Sequence, residues 1–124
     1  MQKEKILVVD DEDYHRHLVR AFLEKLGYQI TDFASPIDAL ALLQSEKFPV
    51  IITDLIMYDM DGAEFCEKIR ETDKTSKIFA LSGFIDLYES EKLKRAGFDG
   101  YLPKPVAFEK LKKAIAEAFA ALDE

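Results

Sequence analysis

The sequence predicts an α/β fold built on a parallel, doubly wound sheet, and three observations carry that prediction. Short apolar runs recur at about 5–10, 28–33, 50–54, 77–82 and 98–102. Segments with helical spacing of apolar residues separate them, so strand and helix alternate along the whole chain. The runs KILVV and VIIT are apolar at consecutive positions, as strands buried on both faces should be.

The elements follow in order. After the first strand, Leu18, Ala21, Phe22 and Leu26 have i, i+3, i+4, i+8 spacing, and Gly27 stands where a helix stops. The second helix opens at Ser35-Pro36-Ile37-Asp38, a capping serine, a proline at the first helical position and an acid in the first turn. Asp61 and Glu64 mark the start of the third helix, with a narrow stripe of Ala63, Cys66 and Ile69. The fourth, over about 86–96, has a poor stripe of Leu87, Leu93 and Ala96, and Gly97 ends it. The last, over about 107–121, carries Phe108, Leu111, Ile115, Ala118 and Leu122 along one face. Five consecutive βα units with right-handed crossovers place helices on both faces of the sheet. A flavodoxin-like (βα)5 arrangement with five strands in the order 2-1-3-4-5 is expected, as one domain over residues 1–124.

Composition narrows the function classes. A net charge of -7 argues against a nucleic-acid backbone as the main partner. The clusters Lys92-Lys94-Arg95 and Lys110-Lys112-Lys113 are offset by neighbouring glutamates and read as solvated helix faces. Cys66 is the single cysteine, which excludes an internal disulfide and fits a reducing compartment; on the inner face of its helix it reads as a small core residue. No apolar stretch approaches the ~20 residues needed to span a bilayer. The leading MQKEKI lacks the apolar region of a signal peptide, so a cytoplasmic protein is expected.

The chemistry lies in charged residues that directly follow apolar runs: Asp10 and Asp11, Asp54, and Lys104. In the expected strand order, strands 1, 3, 4 and 5 are neighbours, and the loops after them bring these residues and Ser82 to the carboxyl edge, where open α/β sheets bind ligands. Three carboxylates at one edge repel one another unless a cation sits among them, and oxygen ligands suit Mg²⁺ or Mn²⁺ better than Zn²⁺. Lys104 adds a mobile positive charge and Ser82 a hydroxyl. With one Mg²⁺ and Lys104, the formal charges of the three aspartates cancel, a setting in which a carboxylate can accept a phosphoryl group. His15 and His17, at i, i+2, point to different faces of the first helix and are expected to be surface residues rather than joint ligands. Asp59 and Asp61 resemble fragments of a calcium loop but lack its spacing and final glutamate; Asp61 reads as a helix cap.

Four pieces, VVDDE (8–12), TDLIMYDMDG (53–62), ALSG (80–83) and GYLPKP (100–105), closely resemble the receiver domain of bacterial two-component response regulators. The resemblance covers essentially the whole chain. It implies that Asp54 is the phosphoacceptor, taking its phosphoryl group from a phosphohistidine on a sensor histidine kinase or a phosphotransfer protein. It implies that Asp11, Asp54 and the backbone carbonyl of Ile56 bind Mg²⁺ directly, with Asp10 acting mainly through water. Lys104 is to pair with the phosphoryl group, Ser82 to move inward toward it, Tyr101 to turn inward as the aromatic switch, and the Lys104–Pro105 bond to be cis. The surface of the fourth helix, fifth strand and fifth helix is to change for a downstream protein or a fused output domain.

Two departures stand out. Tyr58 replaces the usual proline, which leaves the loop after Asp54 without that restraint. Ile56 and Phe84, two residues beyond Asp54 and Ser82, are apolar where many receivers carry side chains that affect a hydrolytic water; a slowly decaying phosphorylated form is expected.

Two other function classes fit the sequence less well. A haloacid-dehalogenase-like phosphatase needs a second aspartate where Ile56 stands, and a cap domain. A phosphorylation-independent binding module of the same fold is favoured by nothing in a chain that has every acceptor-site residue. No membrane contact and no direct nucleic-acid binding are expected, and the last helix lacks the arginine-rich pattern of receivers that dimerise on DNA. A monomer or a weak phosphorylation-dependent dimer is expected, either as a stand-alone regulator or as part of a longer protein.

Overall fold

The computed structural model describes residues 4–83 and 87–123. Five strands, β1 (Lys5–Val9), β2 (Gln29–Phe33), β3 (Val50–Asp54), β4 (Lys77–Ser82) and β5 (Gly100–Pro103), alternate with five helices, α1 (Asp13–Lys25), α2 (Pro36–Leu43), α3 (Gly62–Arg70), α4 (Leu87–Ala96) and α5 (Phe108–Leu122). All neighbouring strands pair in parallel, in the order β2-β1-β3-β4-β5. This is the expected doubly wound α/β fold.

Alternation along the central strands divides the core in two. Ile6, Val8, Val50 and Ile52 face α1 and α5, where Val19, Leu23, Leu111, Ile115 and Phe119 cover them. Leu7, Val9, Ile51, Ile78 and Ala80 face α2, α3 and α4, against Ala39, Phe65, Ile69 and Leu93. Cys66 lies buried in this second layer, as expected, and burial pushes its thiol up to about 12.

The local signals act as their chemistry dictates. Ser35 Oγ accepts a hydrogen bond from the Ile37 amide, and Asp61 Oδ1 from the Glu64 amide, so both helix starts are capped. Gly27 and Gly97 adopt φ of 95° and 112°, the left-handed region that ends α1 and α4. Asp59 accepts a hydrogen bond from the Ser35 hydroxyl.

Two expectations shift. The buried line of α1 is His15, Val19 and Leu23; Leu18, Phe22 and Leu26 lie beside it, partly buried, and Ala21 is exposed. The flanking line is apolar because it meets α5, with the Phe22 and Phe108 rings edge to face at 5.2 Å. β5 begins at Gly100 rather than at 98, with Phe98 buried just before it.

Candidate functional site

The carboxyl edge of the sheet delivers the site. Asp10 follows β1, extends its ladder by donating its amide to the Phe33 carbonyl, and is wholly buried. Asp54 is the last residue of β3 and is 6% exposed. Lys104 follows β5 and is anchored by its amide to the Ser82 carbonyl at 2.9 Å, the end of the neighbouring strand. A full aspartate side chain buried without a partner is costly, and each of these is paired.

Lys104 Nζ lies 2.8 Å from Asp54 Oδ2 and 3.5 Å from Asp10 Oδ1. It also lies 3.3 Å from Glu12 Oε1, a carboxylate whose part in the site the sequence reading missed. Burial by itself would lower the Lys104 ammonium; the hydrogen bond to Asp54 and the fields of Asp10 and Asp54 outweigh it and hold the group above its ordinary value. Lys104 therefore stays charged.

Asp11 is exposed, and its Oδ2 accepts the Tyr58 amide at 3.0 Å, across 47 residues of sequence. A proline at position 58 has no amide to give, so the departure noted at this position supplies a hydrogen bond instead of a ring restraint. The same loop is held by the Gly62 amide on the Leu55 carbonyl at 2.8 Å. Gly62 sits so close that a Cβ there would stand 2.3 Å from the Asp54 carbonyl oxygen. Only glycine lets α3 start against the backbone of Asp54.

Asp10, Asp11 and Asp54 each offer one carboxylate oxygen within 4.8 Å of the others. These are hard oxygen donors on strand ends and a loop, with one ammonium nearby, and they fit Mg²⁺ or Mn²⁺. The Ile56 amide points at Asp54 Oδ1 from 3.4 Å, while the residue as a whole is 83% exposed.

Ser82, partly buried, lines a cleft with Leu55, Ile56 and Leu93. Tyr101 is 45% exposed, beside Ala80 in the register of β4 and β5. The Lys104–Pro105 bond is cis. Phe84 lies outside the described residues.

The two histidines of α1 differ, and His15 is not the surface residue expected. His17 is exposed, as expected, but His15 is 2% exposed and belongs to the site. Its Nδ1 lies 2.8 Å from Asp10 Oδ2, and its Nε2 accepts the Val106 amide at 3.2 Å. The signal was present: His15 is four and eight residues before Val19 and Leu23, on the line that turns to the sheet.

With this geometry in place, the chain can be set beside known proteins by sequence and by fold. Residues 6–116 match the response regulator receiver domain. The chain belongs to the response regulator receiver family. It is 42% identical over 82 residues to the response regulator receiver protein CpdR of Brucella abortus, covering 66% of this chain and 68% of that one. It is 32% identical over 111 residues to the sensor histidine kinase RcsC of Salmonella typhi, covering 90% of this chain but 12% of the relative. Among solved structures, the chemotaxis response regulator CheY4 of Vibrio cholerae superposes with a TM-score of 0.89 at 32% identity, covering 94% of this chain and 99% of that one. A CheY-like receiver domain protein of Methanospirillum hungatei gives 0.92 at 29% identity, with 98% of both chains covered. This receiver domain is thus a two-component signalling module, and its relatives include a receiver protein, a sensor kinase and a transcriptional regulator. Among the described residues no helix is long and apolar enough to cross a membrane.

Proposed function

We propose that this receiver domain is a phosphorylation-controlled switch that accepts a phosphoryl group on Asp54 from a phosphohistidine of a sensor histidine kinase or phosphotransfer protein. The observation that carries the reading is the 2.8 Å contact between Lys104 and Asp54 inside a cluster of three convergent aspartates. An Asp54 carboxylate oxygen attacks phosphorus, the new O–P bond forms as the P–N bond to the donor imidazole breaks, and that electron pair leaves with the imidazole. The Lys104 ammonium, already against Asp54, passes to a phosphoryl oxygen, so the incoming charge meets a cation that needs no recruitment.

Asp11, Asp54 and the Ile56 carbonyl are the residues to hold Mg²⁺ directly, with Asp10 acting through water. Bound there, the ion supplies neutralisation of the phosphoryl oxygens. Ser82 is to hydrogen-bond the phosphoryl group, and Tyr101 to turn inward from its half-exposed position. Both changes shift an inactive–active equilibrium, and with it the surface of α4, β5 and α5 offered to a downstream protein or a fused output domain. On this reading the domain works in the cytoplasm and binds no nucleic acid itself. The phosphatase alternative requires an acid/base at position 56, and an apolar side chain stands there.

The test is phosphoryl uptake from a small acyl phosphate with Mg²⁺, followed by intact mass. Uptake is expected in the natural chain and absent in Asp54→Asn; undiminished uptake in that variant sinks the reading. The Ile56 side chain, exposed beside the acceptor, offers no polar atom to a hydrolytic water. The phosphorylated form is therefore expected to decay slowly, and Ile56→Asn combined with Phe84→Glu to change its lifetime. An unchanged lifetime removes both residues from that role.

A further inference from the structure

We propose that His15 is a positioning residue that ties the acidic pocket to the backbone following Lys104, so that occupancy of one is felt by the other. The inference rests on reading the pocket as a cation site. The Val106 amide can only donate, so His15 Nε2 accepts, and the ring's own proton sits on Nδ1, aimed at Asp10 Oδ2. One imidazole thus bridges two segments 96 residues apart in the chain, Asp10 after β1 and Val106 two residues beyond Lys104.

The position itself asks for something else. Residue 15 shares the buried line of α1 with Val19 and Leu23, where an aliphatic side chain would suit the layer. An aliphatic residue would leave Asp10 Oδ2 and the Val106 amide, both in buried residues, without these partners. The histidine also divides the labour of Asp10. With Oδ2 held by the ring, Oδ1, which accepts the Glu12 amide at 2.9 Å, is the oxygen turned to Lys104. A rotation of the carboxylate when a cation enters must then pull on the ring and, through it, on the β5–α5 backbone. Asp10 is to meet the cation through water, and disturbing such an outer-shell group typically changes metal affinity ~10–100-fold.

The experiment is a Mg²⁺ titration of ¹⁵N-labelled protein followed by NMR. In the natural chain, the ring nitrogens are expected to show the Nδ1–H tautomer, and the Val106 amide to shift with the same midpoint as the amides around Asp54. His15→Leu is expected to weaken Mg²⁺ binding at least ~10-fold and to silence the Val106 response. His15→Gln keeps one donor and one acceptor and is expected to restore most of both. The inference is overturned by an Nε2–H ring, by a Val106 amide that ignores Mg²⁺ while the Asp54 region responds, or by a folded His15→Leu with unchanged affinity. The ring and Val106 measurements need no variant, so they stand even where His15→Leu does not fold. If no amide of the natural chain responds to Mg²⁺, the cation reading of the pocket fails, and this inference fails with it.

Discussion

The two ends of the sheet both carry buried charge, and they balance it differently. At the amino edge, Arg70 donates to the carbonyls of Gly97, Asp73 and Ser76 and to Asp99. Asp73 in turn accepts from the Thr75 and Ser76 amides and the Ser76 hydroxyl, and Lys47 stands 3.9 Å from it. Two cations face two anions there. At the carboxyl edge, Lys104 is the one lysine or arginine among the described residues whose side chain pairs with the carboxylates of Asp10, Glu12 and Asp54, with Asp11 beside them. Burial and hydrogen bonding are common to both ends; surplus negative charge marks only one. An edge that is neutral within itself serves the fold, and an edge left short of positive charge suits the cation proposed for it.

The largest effect that distinguishes the two ends should come from Arg70→Met. It removes four hydrogen bonds, three of them to backbone carbonyls that join the ends of α3 and α4 to the starts of β4 and β5. A loss of about 3 kcal/mol in urea unfolding is expected, with Mg²⁺ affinity unaltered. A large fall in Mg²⁺ affinity would show that the two ends are coupled and break the contrast.

Asp73 gives the next test. Burial acts to raise its carboxyl, but the Ser76 hydroxyl, the Ser76 and Thr75 amides and Lys47 prevail and hold it below its ordinary 3.8. A carboxyl depressed in the folded state contributes stability that is fully present above the unfolded value. That contribution disappears as pH falls through the lower folded value. The natural chain should therefore lose stability steadily as pH drops below about 4, the ordinary aspartate range. Asp73→Asn should be less stable near neutrality and show a flatter acid limb. Parallel pH profiles for the two proteins would remove Asp73 from the balance.

What could be read in the sequence tracks the same contrast. Asp10, Asp11, Asp54 and Lys104 were legible because each follows an apolar run, and parallel topology carries strand ends to one edge whatever their separation in sequence. The amino-edge network was not legible, because most partners of Arg70 are carbonyls, and every residue has one. His15 was misread through a small displacement of the helix stripe. Leu18, Phe22 and Leu26 form an apolar line as good as His15, Val19 and Leu23, and only the packing of α5 against the first tells which line meets the sheet. Glu12 was overlooked because its role depends on where Lys104 lies, a distance no local pattern contains.

The smallest expected change is the one most specific to surplus charge. Asp11→Asn keeps an oxygen to accept the Tyr58 amide and removes only the charge. Without a divalent cation the variant should be more stable than the natural chain by ~0.5 kcal/mol at low salt, because one of four mutually repelling carboxylates is gone. That gain should fade as salt screens the remaining charges. On the proposed cation reading, added Mg²⁺ should reverse the ranking: it should stabilise the natural chain by mass action and do little for a variant missing one of the proposed ligands. Urea midpoints at low and high salt, each with and without Mg²⁺, measure all of this. Were Asp11→Asn less stable in every condition, the carboxyl edge would be as balanced as the amino edge, and its carboxylates would be structural.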